Sequence, residues 1–175
     1  MRMRILAATA LAAVLASAGA ASAQDGAALK PSCADDIYHA FDFWIGEWEV
    51  TSPDGTIAGY NSITRQEYGC LLVERWKGAG GSTGQSYNFY DHALKKWRQV
   101  WVSPGVTIDY AGGLNDAGEM VLEGTIGYAN GAVAPFRGVW TKLDDGAVRQ
   151  HFQQYNAETK TWDDWFVGIY RKKAP

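Results

Sequence analysis

Gly84-Gln85-Ser86-Tyr87-Asn88-Phe89-Tyr90-Asp91-His92-Ala93-Leu94-Lys95-Lys96-Trp97-Arg98-Gln99-Val100-Trp101-Val102 is the stretch that decides the fold. On each side of Asp91 to Lys95 the residues alternate with a period of two, so each run is a strand with two unlike faces, and the turn between them makes a hairpin. Working outward, turn signals recur at Asp54-Gly55, Tyr68-Gly69, Gly78 to Gly81, Pro104-Gly105, Asn115 to Gly118, Asn130-Gly131, Asp144-Asp145-Gly146 and Asn156 to Lys160. With Asp91 to Lys95 these are nine turns separating ten short segments rich in Trp, Tyr, Val, Ile and Thr. Helical spacing is found only at Asp35 to Phe41, which predicts one short N-terminal helix. The expected fold is all-β: a single closed antiparallel up-and-down barrel of about ten strands, since closure removes exposed strand edges. A two-sheet sandwich of the same strands is the alternative architecture.

The first residues read as an export signal. Arg2 and Arg4 precede an apolar run from Ile5 to about Ala21 that ends in the small residues Ala21-Ser22-Ala23. That run is short for a spanning helix, so cleavage near Ala23 is expected, with no stable membrane anchor and a periplasmic or secreted destination. The expected organisation is a signal peptide over 1–23, an N-terminal segment over 24–40 and a barrel domain over 41–173. After removal of Arg2 and Arg4, 14 basic residues face 19 acidic ones, which argues against nucleic acid as a partner. The two cysteines, Cys33 and Cys70, are expected to form a disulfide in an oxidising compartment, tying the N-terminal segment to the barrel wall.

Phe41-Asp42-Phe43-Trp44-Ile45-Gly46-Glu47-Trp48-Glu49-Val50 reads as the first strand, with Trp44, Gly46 and Trp48 on one face as an aromatic plug. Further motifs are Tyr68-Gly69-Cys70 with Glu74 and Trp76, then Gly84, Ser86, Asn88, Tyr90 and Asp91, then Lys96-Trp97, Gln99 and Trp101-Val102, and finally Thr161-Trp162, Gly168 and Tyr170. In these residues the chain resembles a family of small secreted bacterial domains of unknown function that open with a Phe-Asp-Phe-Trp-x-Gly-x-Trp motif. The resemblance spans nearly the whole mature domain and implies a lipocalin-like barrel, similar to calycin and nitrobindin folds, with no established activity. Nitrobindin-like proteins hold haem through a histidine in the last strand region, whereas Trp162 to Arg171 contains none and His151 lies one strand earlier. His39, His92 and His151 also lack metal-ligand spacing, so neither cofactor nor metal is expected.

The third to fifth strands carry the candidate site. Glu74 and Trp76, then Ser86, Asn88 and Tyr90, then Trp97, Gln99 and Trp101 each share a face, and a meander sets these faces side by side. An aromatic wall holding a few hydrogen-bonding groups is the composition of a small-molecule pocket. Leu71 and Val73, Tyr87 and Phe89, and Val100 and Val102 fill the opposite faces. Either that apolar set is the core, or the polar-aromatic set lines a cavity and a partner covers the apolar set. The second reading is favoured and implies a homodimer. Arg137 or Arg149 would then supply a charge for a buried Glu74, with Arg137 counted among the ligand-binding residues.

Three functions fit this pattern. The first is capture of a small, partly apolar or aromatic molecule in the barrel. The second is an isomerase or hydrolase using Glu74 as general acid or base, assisted by Tyr90 or His151. The third is a glycan-binding or envelope interaction protein. No nucleophile elbow or phosphate loop supports an enzyme directly, and the glycine-rich Gly78 to Gly84 reads as a hairpin loop because it lacks a lysine and opens no helix.

Overall fold

The computed structural model describes residues 33–173; the expected signal peptide over 1–23, with its expected cleavage near Ala23, lies outside the described residues. Ten strands follow one another: β1 (Gly46–Thr51), β2 (Ile57–Gln66), β3 (Leu71–Gly78), β4 (Thr83–Asp91), β5 (Lys96–Ser103), β6 (Val106–Leu114), β7 (Met120–Tyr128), β8 (Val133–Lys142), β9 (Val148–Asn156) and β10 (Thr161–Lys172). Each pairs antiparallel with its sequence neighbours, and β1 pairs with β10, so the sheet closes as a ten-stranded barrel. Val50 lies opposite Tyr170 across that seam. The barrel, not the sandwich, is the architecture, and every turn falls where glycine, asparagine and aspartate mark one.

The beginning of the domain departs from the sequence reading. The expected short N-terminal helix forms as a single 3-10 turn at Asp36–Tyr38, and a second 3-10 turn at Asp42–Trp44 replaces the first half of the expected first strand. Trp44 therefore precedes β1 instead of sharing its face with Trp48. Gly46 makes the change of direction at φ +150, a conformation that side chains oppose. The aromatic plug nevertheless forms. Phe41 stacks on Trp44 at 5.0 Å between ring centres and meets Trp140 at 5.1 Å and Trp97 at 5.8 Å, all four buried. Trp48 Nε1 donates to the Trp44 carbonyl and Trp97 Nε1 to that of Ile37, which ties the plug to the floor of the barrel.

The disulfide is present. Cys33 and Cys70 are bonded across a sequence separation of 37, fixing the segment that leads into the plug to the turn between β2 and β3. Among the described residues no helix is long and apolar enough to cross a membrane.

Alternation along the strands separates an inner from an outer surface. Trp48 and Val50, Asn61 and Ile63, Leu72 and Glu74, Ile108 and Tyr110, Leu122 and Ile126, Phe136 and Trp140, and Gln150 and Phe152 are buried on the inside. Tyr87 and Val102 stand on the outside, 52% and 56% exposed. Of the two readings of β3 to β5, the polar-aromatic face is thus the interior one.

Candidate functional site

Three interior residues of β2 to β4 build the heart of the barrel. Glu74 is 3% exposed; its Oε1 accepts from Asn61 Nδ2 at 2.7 Å and its Oε2 from the Ser86 hydroxyl at 2.5 Å. The register explains the second bond, because Glu74 and Ser86 are direct cross-strand partners. Ser86 accepts from Asn88 Nδ2 at 2.8 Å, Asn88 Oδ1 accepts from Gln99 Nε2, and Gln99 Oε1 accepts from the Tyr110 hydroxyl. On the other side Asn61 Nδ2 also donates to the Tyr170 oxygen at 3.3 Å, and the Tyr170 hydroxyl donates to Gln150. Buried polar groups persist where partners satisfy them; from Tyr110 through Gln99, Asn88 and Ser86 the donors run toward Glu74, whereas Tyr170 donates away from it to Gln150.

Burial raises the Glu74 carboxyl from its ordinary value to about 7, and the bonds from Ser86 and Asn61 hold it back from a larger rise. Burial, with Glu74 nearby, also pushes the Tyr110 and Tyr170 hydroxyls up, so both stay neutral across physiological pH. The Glu74 carboxyl makes no ion pair with any basic side chain among the described residues.

Above this layer, toward the open end of the barrel, lies a cavity of about 320 Å³. Glu74, Gln150 and Tyr170 reach it from the polar layer, and Trp76, Trp101, Phe152, Trp165 and Phe166 supply its rings. Trp76 meets Phe166 at 6.0 Å, Phe166 meets Phe152 at 6.2 Å, and Phe152 meets Trp165 at 6.3 Å, so four rings form a continuous aromatic wall. Glycines make room for it. A Cβ on Gly84 would sit 2.1 Å from the Trp101 ring, and one on Gly168 would sit 2.7 Å from the Phe166 ring.

Three of the sequence-predicted residues, Glu74, Trp76 and Trp101, line this cavity. Ser86, Asn88 and Gln99 are buried behind it and act on it through Glu74. Tyr90 and Trp97 lie at the floor, Tyr90 against Tyr38 at 5.9 Å and Trp97 in the plug. Arg137 is a correction. It follows the inward-facing Phe136, so alternation turns it outward, where its Nε donates to Gln153 and its guanidinium lies 4.5 Å over the Trp162 ring. Arg149, between the buried Val148 and Gln150, is likewise excluded from the interior. His151 also faces out and bonds Asp164 at 2.6 Å, and the described residues contain no cluster suited to a metal ion.

Sequence reasoning missed Asn61, Tyr110, Gln150, Phe152, Trp165, Phe166 and Tyr170. Gln150 and Phe152 carried a legible signal, the alternation Val148-x-Gln150-x-Phe152. Trp165 and Phe166 did not, because neighbouring residues in a regular strand face opposite ways. A β-bulge between Asp164 and Phe166 shifts the register and lets both line the cavity. No family model matches the chain, and no curated protein matches it closely.

Proposed function

We propose that this protein is an exported, lipocalin-like barrel that captures a small, partly apolar molecule in the cavity above Glu74. The observation that carries this reading is an aromatic cavity of about 320 Å³ that ends on a layer of fixed hydrogen-bonding groups. Apolar walls supply affinity through area removed from water, and a few placed polar groups set orientation. Its size lies at the small end of ligand sites, typically ~300–1,000 Å³, and suits a single ring or short chain. The leader-like N-terminus and the Cys33–Cys70 bond support an oxidising compartment.

Native mass spectrometry of protein recovered from a bacterial periplasm tests this reading. A co-purified small molecule that is lost from a Trp101→Ala variant is the expected result; an empty wild-type barrel across conditions of expression counts against it.

A second reading rests on Glu74 itself. A carboxyl at about 7 exchanges protons readily at neutral pH, which suits a general acid or base acting on a molecule held in the same cavity. Turnover abolished in Glu74→Gln with ligand affinity retained would establish an enzyme. The outward Tyr87 and Val102 support a homodimer, for which sedimentation at micromolar concentration gives the direct test.

A further inference from the structure

The polar layer under the cavity is unbalanced in charge and in hydrogen-bonding capacity. A carboxylate has about four lone-pair sites, and Asn61 and Ser86 occupy one on each oxygen of Glu74. Tyr170 directs its proton to Gln150, away from the carboxyl. Asn61 Oδ1, in the side chain that bonds Glu74, is buried with no donor of its own. The cavity therefore ends on a carboxyl with acceptor capacity to spare, and one more unpaired acceptor is buried in the side chain bonded behind it.

Among the described residues no side chain supplies a compensating cation. Neither Lys nor Arg lines the cavity. At the floor end Arg65 is bound to Asp42, and Lys172 lies over the Trp48 ring. An anionic ligand would meet a carboxyl and aromatic faces there, with no basic group to receive it. Conversely, the wall of Trp76, Phe166, Phe152 and Trp165, with Trp101 lining the same cavity, presents electron-rich rings. Rings of this kind attract cations, most strongly indole rings in desolvated sites.

We infer that the cavity selects a small organic cation, a protonated amine on an apolar body, whose ammonium group donates to Glu74 while the indole and phenyl rings surround its carbon skeleton. This rests on the cavity-binding reading and specifies its ligand class. Primary and secondary ammonium groups bring the N–H donors that the spare acceptors lack. The ligand would thereby provide the positive partner that the fold withholds from Glu74.

Titration calorimetry at pH 8 with three probes of similar size tests the inference: phenethylammonium, neutral 2-phenylethanol and anionic 3-phenylpropionate. An alkylammonium stays protonated there, and Glu74 is largely ionised while Tyr110 and Tyr170 remain neutral. Phenethylammonium should bind at least about tenfold more tightly than the alcohol, as expected for one charge-assisted hydrogen bond. Glu74→Gln should erase that preference, so that the amine and the alcohol bind the variant with affinities within about threefold of each other. Trp165→Ala, altered at a rim position 44% exposed and so safe for folding, should weaken the amine more than the alcohol. Equal or tighter binding of the alcohol or the carboxylate overturns the cation inference and leaves the cavity reading standing. An amine preference that survives both substitutions also overturns it. Binding by none of the three probes overturns both.

Discussion

Glu74 is the residue at which stability and the proposed binding site meet. Its carboxyl is raised by burial, so the folded protein holds a proton that the unfolded chain releases near the ordinary value of 4.5. Stability from this group is full below pH ~4.5, declines as the pH rises toward 7, and levels off above that, at a total cost of about 3 kcal/mol. Thermal melts of wild type and Glu74→Gln should therefore diverge: similar at pH 4.5, with the variant gaining relative to wild type by pH 8. A pH-independent gap between the two would show that Glu74 does not titrate in this window. Its importance was legible as a charged residue on a face otherwise built of Trp, Ser, Asn and Gln. Its isolation from any basic partner among the described residues was not, because that depends on which way Arg137 and Arg149 turn, on strands five and four places round the barrel from β3.

At the scale of the element, glycine and aromatic residues work as matched pieces. Gly84, the second residue of β4, lies opposite Trp76, and the Trp101 ring occupies the volume its missing side chain leaves. Gly84→Ala should push that ring into the cavity and cost about 1–3 kcal/mol, the usual penalty for overfilling a packed site. Urea denaturation would measure the loss, and near-ultraviolet circular dichroism would report the displaced indole. An unchanged spectrum with full stability would mean that the ring has room to move. Strand identity and turn positions were readable here because glycine, asparagine and aspartate punctuate a period of two. The bulge in β10 was invisible, since Asp164-Trp165-Phe166-Val167 contains neither glycine nor proline to mark it. The 3-10 turn at Asp42–Trp44 escaped for a related reason: its aromatic residues also favour strands, and tertiary packing in the plug overrides that preference.

At the scale of the molecule, the Cys33–Cys70 bond holds the plug-bearing segment against the barrel. Removing it by a Cys33→Ser, Cys70→Ser double substitution should lower unfolding free energy by roughly 3–4 kcal/mol, from the loop length in the chain-entropy view. Equilibrium unfolding in urea would show it, and a midpoint unchanged by the substitutions would mean that the plug is held by its aromatic contacts alone. The seam between β1 and β10 has a different kind of consequence. Val50 can meet Tyr170 only after nearly the whole domain has been synthesised, so the last ladder to form joins the two most distant parts of the chain. Such long-range pairing slows folding, and until it is made β1 waits with an unpaired edge. The C-terminal strand is thus a timing device as well as a wall: a chain cut short of β10 would remain open and prone to self-association however well its first nine strands were paired.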